Sequence, residues 1–416
     1  MKVLGSTYFF HMGGRTKGLI TQDLEIIQHV LQKNHKNYIK SPLQTEQLAS
    51  YVGNGLLTNN GESWLRQRRL IQPAFTRKNI NSLSFIIEEE AKKVFHAEIG
   101  QGGPTNISHV AAMLTFHVVA RAIFSDEMSH DEIVGMRRNV ERVQHMIIHQ
   151  VRQPYKRWYY RWSGKMRRHH ALADEAKDLI KSVIINRKAN RVQKKDILQF
   201  LLDTRYEDTG EEMELAQLVD ELLILMVAGH ETTAHSFSWT LFLLNQHEES
   251  REKLLEDIRI NDENYLNYFL PDSYVMAVIK ESMRLYPPAW VIDRIGLKDD
   301  FVTKNKTIPG NTIIMSFIYG LHRDPKFWPD PDSFVPERFL SDTKQEAYFP
   351  FGAGPRLCIG NHFAYLELII AFVQFFKNYR LPLTPISHPG IKPLITLQPA
   401  HNIWMDLIPF RKEEDK

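Results

Sequence analysis

The chain is most constrained by the stretch Phe351-Gly352-Ala353-Gly354-Pro355-Arg356-Leu357-Cys358-Ile359-Gly360, which holds its only cysteine. Three glycines and a proline surround that sulfur, so the backbone is bent here and comes close to something flat or bulky. Phe363, Leu366, Ile370, Val373 and Phe376 follow at helical spacing, which predicts a helix over 363–376. Cys358 would then sit just ahead of a helix N-terminus, where free N–H groups and the helix dipole favour a thiolate. A single cysteine is by itself more often a small buried apolar residue. The rest of the chain has to decide between the two.

A thiolate held on a loop in front of a long helix is a good axial ligand for haem iron. At 416 residues the chain is long enough for two or three average domains, yet large single-core enzymes reach the same length. It is 43% hydrophobic and 24% charged, which is a globular composition. A net charge of +3 is too small to imply nucleic acid. One cysteine excludes an intramolecular disulfide and fits a reducing cytoplasm. Met1–Gly14 has no sustained apolar core, so no secretory signal is expected. The most membrane-like run, Leu222–Leu244, is interrupted by Gly229-His230-Glu231-Thr232-Thr233, whose polar groups would be costly in lipid. It reads as a buried helix of a soluble protein.

Along the chain, Tyr8–Met12 and Leu19–Thr21 read as short strands around a Gly13-Gly14 turn, and Met1–Leu4 as the tail of something longer. Helical spacing follows over Asp23–Gln32, and Ser41–Asn60 is an irregular loop with one short helix. A helix carrying Trp64, Arg66, Arg68 and Arg69 stops before Pro73, and Leu83–Ile99 and Ile107–Phe124 are helical. The longest helix is expected over about Glu212–Gln246, with one more ending near Pro287 and then a β-rich segment around Pro309-Gly310-Asn311. Pro382–Pro409 reads as short strands and turns.

Arg152–His170 stands out, with seven Lys/Arg residues interleaved with Tyr155, Trp158, Tyr159, Tyr160 and Trp162. Basic residues mixed with aromatics are compatible with contact with single-stranded nucleic acid or a membrane surface. The plainer reading is a solvated helix–loop–helix whose aromatics pack inward.

The long helix carries Ala228-Gly229-His230-Glu231-Thr232-Thr233. Glycine in mid-helix costs about 1 kcal/mol relative to alanine, so it needs a reason. Close approach of a flat ligand is one, a local bulge with a threonine hydroxyl on a freed carbonyl a second, and helix packing a third. A carboxylate beside a hydroxyl in a buried helix also makes a proton relay. Glu281-Ser282-Met283-Arg284 places opposite charges three apart on one helical face, a pair worth little in isolation. Leu285-Tyr286-Pro287-Pro288 and, later, Pro336-Glu337-Arg338-Phe339 follow it.

Phe-x-x-Gly-x-Arg-x-Cys-x-Gly, the small-Gly-x-acid-Thr-Thr run, Glu-x-x-Arg and the later Pro-Glu-Arg-Phe together resemble the cytochrome P450 family, in its order, over roughly residues 8–410. The resemblance implies a single domain over 1–416, mainly α with a minor β region, β-rich at about 5–22, 292–320 and 382–409. It implies haem b (iron protoporphyrin IX) between the long central helix and the cysteine-ligand helix, with Cys358 as the metal ligand in a loop shaped by Phe351 and Gly360. Trp64, Arg68, Arg294 and Arg356 match the family's propionate contacts, and bidentate arginine is a natural partner for carboxylates. Ala228 and Gly229 would lie over the haem face, with Glu231 and Thr232 delivering protons. Glu281, Arg284 and Arg338 would form a buried network that holds the cysteine loop without touching substrate. Pocket positions are Tyr51, Ala228, Thr232, Trp290, Val291, Thr396 and Leu397.

The implied reaction inserts one atom of O2 into a C–H bond of a small organic substrate, by hydroxylation or by O-dealkylation where that carbon bears an ether oxygen. Electrons would come from NAD(P)H through a ferredoxin or flavodoxin and its reductase. Arg66, Arg69, Arg77 and Lys78 read equally as a docking face for that donor or as a solvated face. The expectation is a cytoplasmic monomer with no nucleic-acid partner, no membrane anchor and no fused reductase. A peroxide-driven or isomerising haem-thiolate enzyme is the rival, though such relatives tend to lack the acid–threonine pair. A non-catalytic haem sensor is a second rival. The pocket positions do not choose between a lipid, a terpenoid or steroid, and a methylated sugar.

Overall fold

Leu215–Gln246 forms a 32-residue helix that is apolar nearly all round, as burial on every side requires. The computed structural model that contains it describes residues 5–12, 16–191, 193–303, 306–340, 345–382 and 385–410. Helix Ile107–Phe124 runs along the long helix, while Tyr274–Leu285 and the cysteine helix Asn361–Asn378 pack on it elsewhere. Phe237 of the long helix stacks on Phe372 of the cysteine helix at 4.8 Å, and Phe95 closes on Phe375 at 5.8 Å. Each buried Phe contributes roughly 1.5–3 kcal/mol. The aromatic cluster therefore fixes the spacing between the two helices that flank the cavity described below.

A five-stranded sheet packs beside the helices in the order Thr7–Met12, Thr16–Thr21, Ile313–Ser316, Ile292–Gly296, Tyr38–Ile39. Thr16–Thr21 pairs parallel with Ile313–Ser316, and the other pairs are antiparallel. Its buried residues, among them Leu19, Tyr38 and Ile314, join Ile27 and Trp328 in a second core cluster. Strand Ile292–Gly296 brings Arg294 to the cavity. Mainly α with a minor β region is the architecture.

Several boundaries differ from the sequence expectation. The long helix starts at Leu215 because Asp208 to Glu214 forms a polar turn and lead-in. Two helices, Glu248–Asn261 and Tyr274–Leu285, stand where the spacing predicts one. The first of them buries little beyond Leu254 and Ile258 among its apolar residues, so its periodicity is faint. Helix Leu24–Gln28, capped by Asp23, widens into a π turn over His29–Lys33. Met1–Leu4 and the Gly13-Gly14 turn lie outside the described residues. Ile107–Phe124 is long and apolar enough to cross a membrane, but 78% of it is buried inside the fold. In the basic aromatic segment only Tyr160 is buried among the five aromatics, so the reading in which they pack inward is corrected.

Candidate active site

The cysteine loop is held open by glycine geometry. Gly352 and Gly354 sit at φ +75 and +68, and a Cβ on Gly354 would lie 2.0 Å from the Leu31 carbonyl oxygen. Only glycine fits there. Cys358 N donates to the Phe351 carbonyl at 3.1 Å, closing the loop on itself, and Gly360 caps the cysteine helix. Cys358 opens into a cavity of about 410 Å³ lined also by Phe351 and Gly360. Burial pushes its thiol above the ordinary range, against the downward pull of the Gly360 N–H and of Arg68.

Four cations line the same cavity: Lys40, Arg68, Arg294 and Arg356. Arg356 donates to Asn60 Oδ1 at 2.9 Å and lies 4.6 Å over the Trp64 ring, which is itself 8% exposed. Arg68 donates to the Leu357 carbonyl and Arg294 to the Asp293 carbonyl. Lys40 donates to the carbonyls of Leu56 and Asn59. Among the described residues none of the four makes a salt bridge to a carboxylate. Burial, then Arg356 and Arg294, pull the Lys40 amine down to about 6, and burial with Arg294 lowers Arg356 to about 10. Basic groups that are buried or half-buried, repel one another and make no salt bridge call for an anionic ligand.

The long helix separates two cavities. Ala228, Gly229 and Thr232 face the thiol cavity. Glu231 faces away, into a polar cavity of about 280 Å³ lined also by His145, His230, His235 and Glu141. Gln144 Nε2 donates to Glu231 Oε2 at 3.1 Å, and His235 Nε2 stands 3.5 Å from Oε1. Burial pushes the Glu231 carboxyl up, but His235 and then His230 outweigh it and hold the group below the usual carboxylate range. Thr232 Oγ1 donates to the Ala228 carbonyl at 2.9 Å. The helix runs through this region without a π turn, and Thr115 of the neighbouring helix donates to the His230 carbonyl at 2.9 Å. Gly229 also answers to packing, since a Cβ there would lie 3.0 Å from Val119.

Glu281 and Arg284 are both 0% exposed and meet bidentately at 2.7 and 2.8 Å. Arg284 also donates to the carbonyls of His322, Pro331 and Ser333, and Arg338 Nε stands 3.5 Å from Glu281 Oε1. His322 links this network to the cysteine loop. Its Nε2 accepts the Phe349 N–H at 2.9 Å, so its Nδ1 carries the proton toward the Arg284 carbonyl. Burial and then Arg284 lower this imidazole to about 3, which keeps it neutral.

Of the pocket positions, Ala228, Thr232 and Val291 line the thiol cavity and four do not. Tyr51 stacks on His170 at 4.3 Å and accepts from Gln150, beside a separate small cavity. Trp290 turns its Nε1 to the Leu394 carbonyl. Leu397 is 2% exposed, its backbone tied to Pro288 and to Trp239, and Thr396 lies beside Glu231. Lys40, His322 and Glu367 escaped the sequence reading. Glu367 is 1% exposed with no hydrogen-bond partner on either oxygen, and burial raises its carboxyl well above the usual range. An acid inside the apolar run of the cysteine helix was its only signal.

A family model described as Cytochrome P450 matches residues 1–403. The chain belongs to the cytochrome P450 family. Its similarity to a putative cytochrome P450 132 of Mycobacterium tuberculosis is 28% identity over 404 residues, 91% of this chain and 85% of that protein. Cyclooctat-9-en-7-ol 5-monooxygenase of Streptomyces melanosporofaciens is 30% identical over 354 residues, 80% of this chain and 74% of that one. The crystal structure of the cytochrome P450DA heme domain shares the fold at TM-score 0.86 and 19% identity, covering 100% of this chain and 92% of its own. This cytochrome P450 is a monooxygenase acting with haem-thiolate iron, O2, a redox partner and a small-molecule substrate. The residues fit that cofactor: one thiol, a flat helix face at Ala228–Gly229 and four basic side chains that make no salt bridge share one cavity.

Proposed function

We propose that this cytochrome P450 hydroxylates an apolar, terpene- or lipid-like substrate, and dealkylates one whose reacting carbon bears an ether oxygen. The observation that carries the reading is the apolar share of the cavity lining, which includes Leu57, Leu225, Ala289 and Val291. Its hydroxyls are already committed as donors, Thr232 to Ala228, Thr233 to Gly229 and Ser236 to Thr232 carbonyls, which leaves little to greet a sugar. The printed names of two relatives, cyclooctatin synthase and cyclooctat-9-en-7-ol 5-monooxygenase, agree in class.

Cys358 would hold the iron, and haem b when bound supplies O2 activation and C–H oxidation. Arg68, Arg294 and Arg356, backed by Trp64 and joined by Lys40, would hold the propionates. Phe351 and Gly360 keep the loop in shape, and Ala228 with Gly229 gives the ring a flat helix face. Glu281, Arg284 and Arg338 hold the loop from behind through His322. Glu231 is ionised at neutral pH and so can take up a proton in the His-lined cavity; with its side chain turned toward the thiol cavity it would deliver that proton by way of the Thr232 hydroxyl.

Electrons would arrive from NAD(P)H through a ferredoxin or flavodoxin and its reductase. Arg69, Arg77 and Lys78 are exposed for an acidic donor, whereas Arg66 is engaged with Asp208 and lies 3.8 Å over Tyr206. We take the chain as one domain over 1–416, monomeric and cytoplasmic. Two measurements test the reading. Titrating the ferric protein should give a low-to-high-spin shift with terpenoids or fatty acids; a shift with methoxylated sugars alone would sink the apolar assignment. Thr232→Ala should keep consuming NADH with surrogate ferredoxin and reductase while peroxide rises several-fold over product. Unchanged coupling would remove Thr232 from the relay.

A further inference from the structure

The basic aromatic segment is absorbed by none of this chemistry. Residues 154–162 wind as a tight turn, Pro154–Lys156, running into the helix Arg157–Trp162. Tyr155, Trp158, Tyr159 and Trp162 fall at i, i+3, i+4 and i+7, the spacing of a single apolar stripe. Such a stripe normally faces the core. Here it faces water: the four side chains are 69%, 70%, 36% and 82% exposed, while neighbouring Tyr160 alone turns inward. Val151 and Ile395 extend the apolar surface. Ile395 belongs to the turn between strands Ile391–Pro393 and Leu397–Pro399, which Arg152 ties down through the Pro393 carbonyl.

Charge says what covers the stripe. No Asp or Glu occurs between Arg142 and Ala173, and the seven Lys/Arg of residues 152–170 outnumber the net +3 of the whole chain. The rest of the protein is therefore net acidic, and this face is its basic pole. Lys156 Nζ lies 5.8 Å from the Tyr155 ring centroid and Lys165 Nζ 5.3 Å from that of Tyr159, so cations border the aromatic surface. We propose that this face docks the enzyme on an anionic lipid bilayer, with the Trp and Tyr rings at the headgroup–acyl boundary and the cations on the lipid phosphates. Single-stranded nucleic acid suits the geometry less. Base stacking needs ring faces presented in series, and Trp158–Tyr159 and Tyr159–Tyr160 meet edge-on at 77° and 60°.

Docking here places the bilayer beside the substrate cavity. The Leu394 carbonyl, in the same turn as Ile395, accepts Trp290 Nε1, and Val291 next in sequence is part of the cavity wall. The docking itself does not depend on what the substrate is.

The test uses the haem-loaded protein with vesicles of equimolar phosphatidylglycerol and phosphatidylcholine, and of phosphatidylcholine alone. Flotation should recover the protein with the anionic vesicles only, and acyl-brominated lipid should quench its tryptophan emission. Raising salt from 50 to 500 mM should weaken recovery, as screening of surface charge requires. Trp158→Ser with Trp162→Ser should weaken partitioning about tenfold. It should leave circular dichroism and the reduced carbonyl spectrum as in the parent, since both residues are surface-exposed. No flotation with anionic vesicles, equal recovery with neutral ones, an unaffected double variant, or binding of oligo-dT in the same buffer that vesicles do not compete away would each overturn the proposal.

Discussion

Replacing Lys40 by Met separates what the cofactor needs from what the fold needs. Lys40 is 5% exposed, and burial together with Arg356 and Arg294 lowers its amine from the ordinary 10.5 to about 6. At pH 7 the folded apoprotein has therefore released a proton that the unfolded chain keeps. The interval from pH 7 up to 10.5, at about 1.36 kcal/mol per pH unit, amounts to roughly 5 kcal/mol acting against the fold. The folded value lies below the unfolded one and the unfolded state binds more protons, so apoprotein stability rises with pH between about 6 and 10.5. Lys40→Met removes that slope. It also strips the Leu56 and Asn59 carbonyls of their donor, at about 1 kcal/mol each, leaving a net gain of roughly 3 kcal/mol at pH 7. The haem-loaded protein should move the other way. It loses a charge-assisted hydrogen bond worth about 1.5–3 kcal/mol, so haem should leave at least about tenfold faster. Urea unfolding of the apoprotein at pH 7 and 9, and haem transfer to apomyoglobin, read the two effects. An apoprotein variant no more stable than the parent, or one with the parent's full rise between pH 7 and 9, refutes the reasoning.

Arg284→Ala should destabilise the protein by about 3–5 kcal/mol, because it leaves Glu281 buried and three carbonyls without their donor. Thermal unfolding of the loaded protein should show it, and a loss under about 1 kcal/mol would mean the network is not structural. Val291→Phe should alter the spin-shift affinity for the best substrate by about tenfold, since Val291 lines the thiol cavity. Tyr51→Phe should leave that affinity within about twofold, because Tyr51 lies outside the cavity; equal effects of the two changes would overturn the boundary drawn here.

What the sequence determined by itself is local. The glycines around Cys358 dictate a bent loop because Gly352 and Gly354 need positive φ, and that demand is written in residue type. Ile107–Phe124 reads as a helix in the sequence, and the Glu281–Arg284 pair lies on one face by its separation of three. Lys40 and His322 carry no such mark. Each is an isolated polar residue until the fold sets it against Arg294 and Arg356, or between Arg284 and Phe349, more than 25 positions away in the chain. Burial is a tertiary quantity, and together with Arg356 and Arg294 it makes the amine of Lys40 titrate near 6. Direction is tertiary as well. Spacing draws one stripe through Tyr155, Trp158, Tyr159 and Trp162, but periodicity has no sign, and only packing turned that stripe outward. The same ambiguity hid the division of labour in the long helix, where adjacent Glu231 and Thr232 address different cavities because successive residues on a helix point about 100° apart.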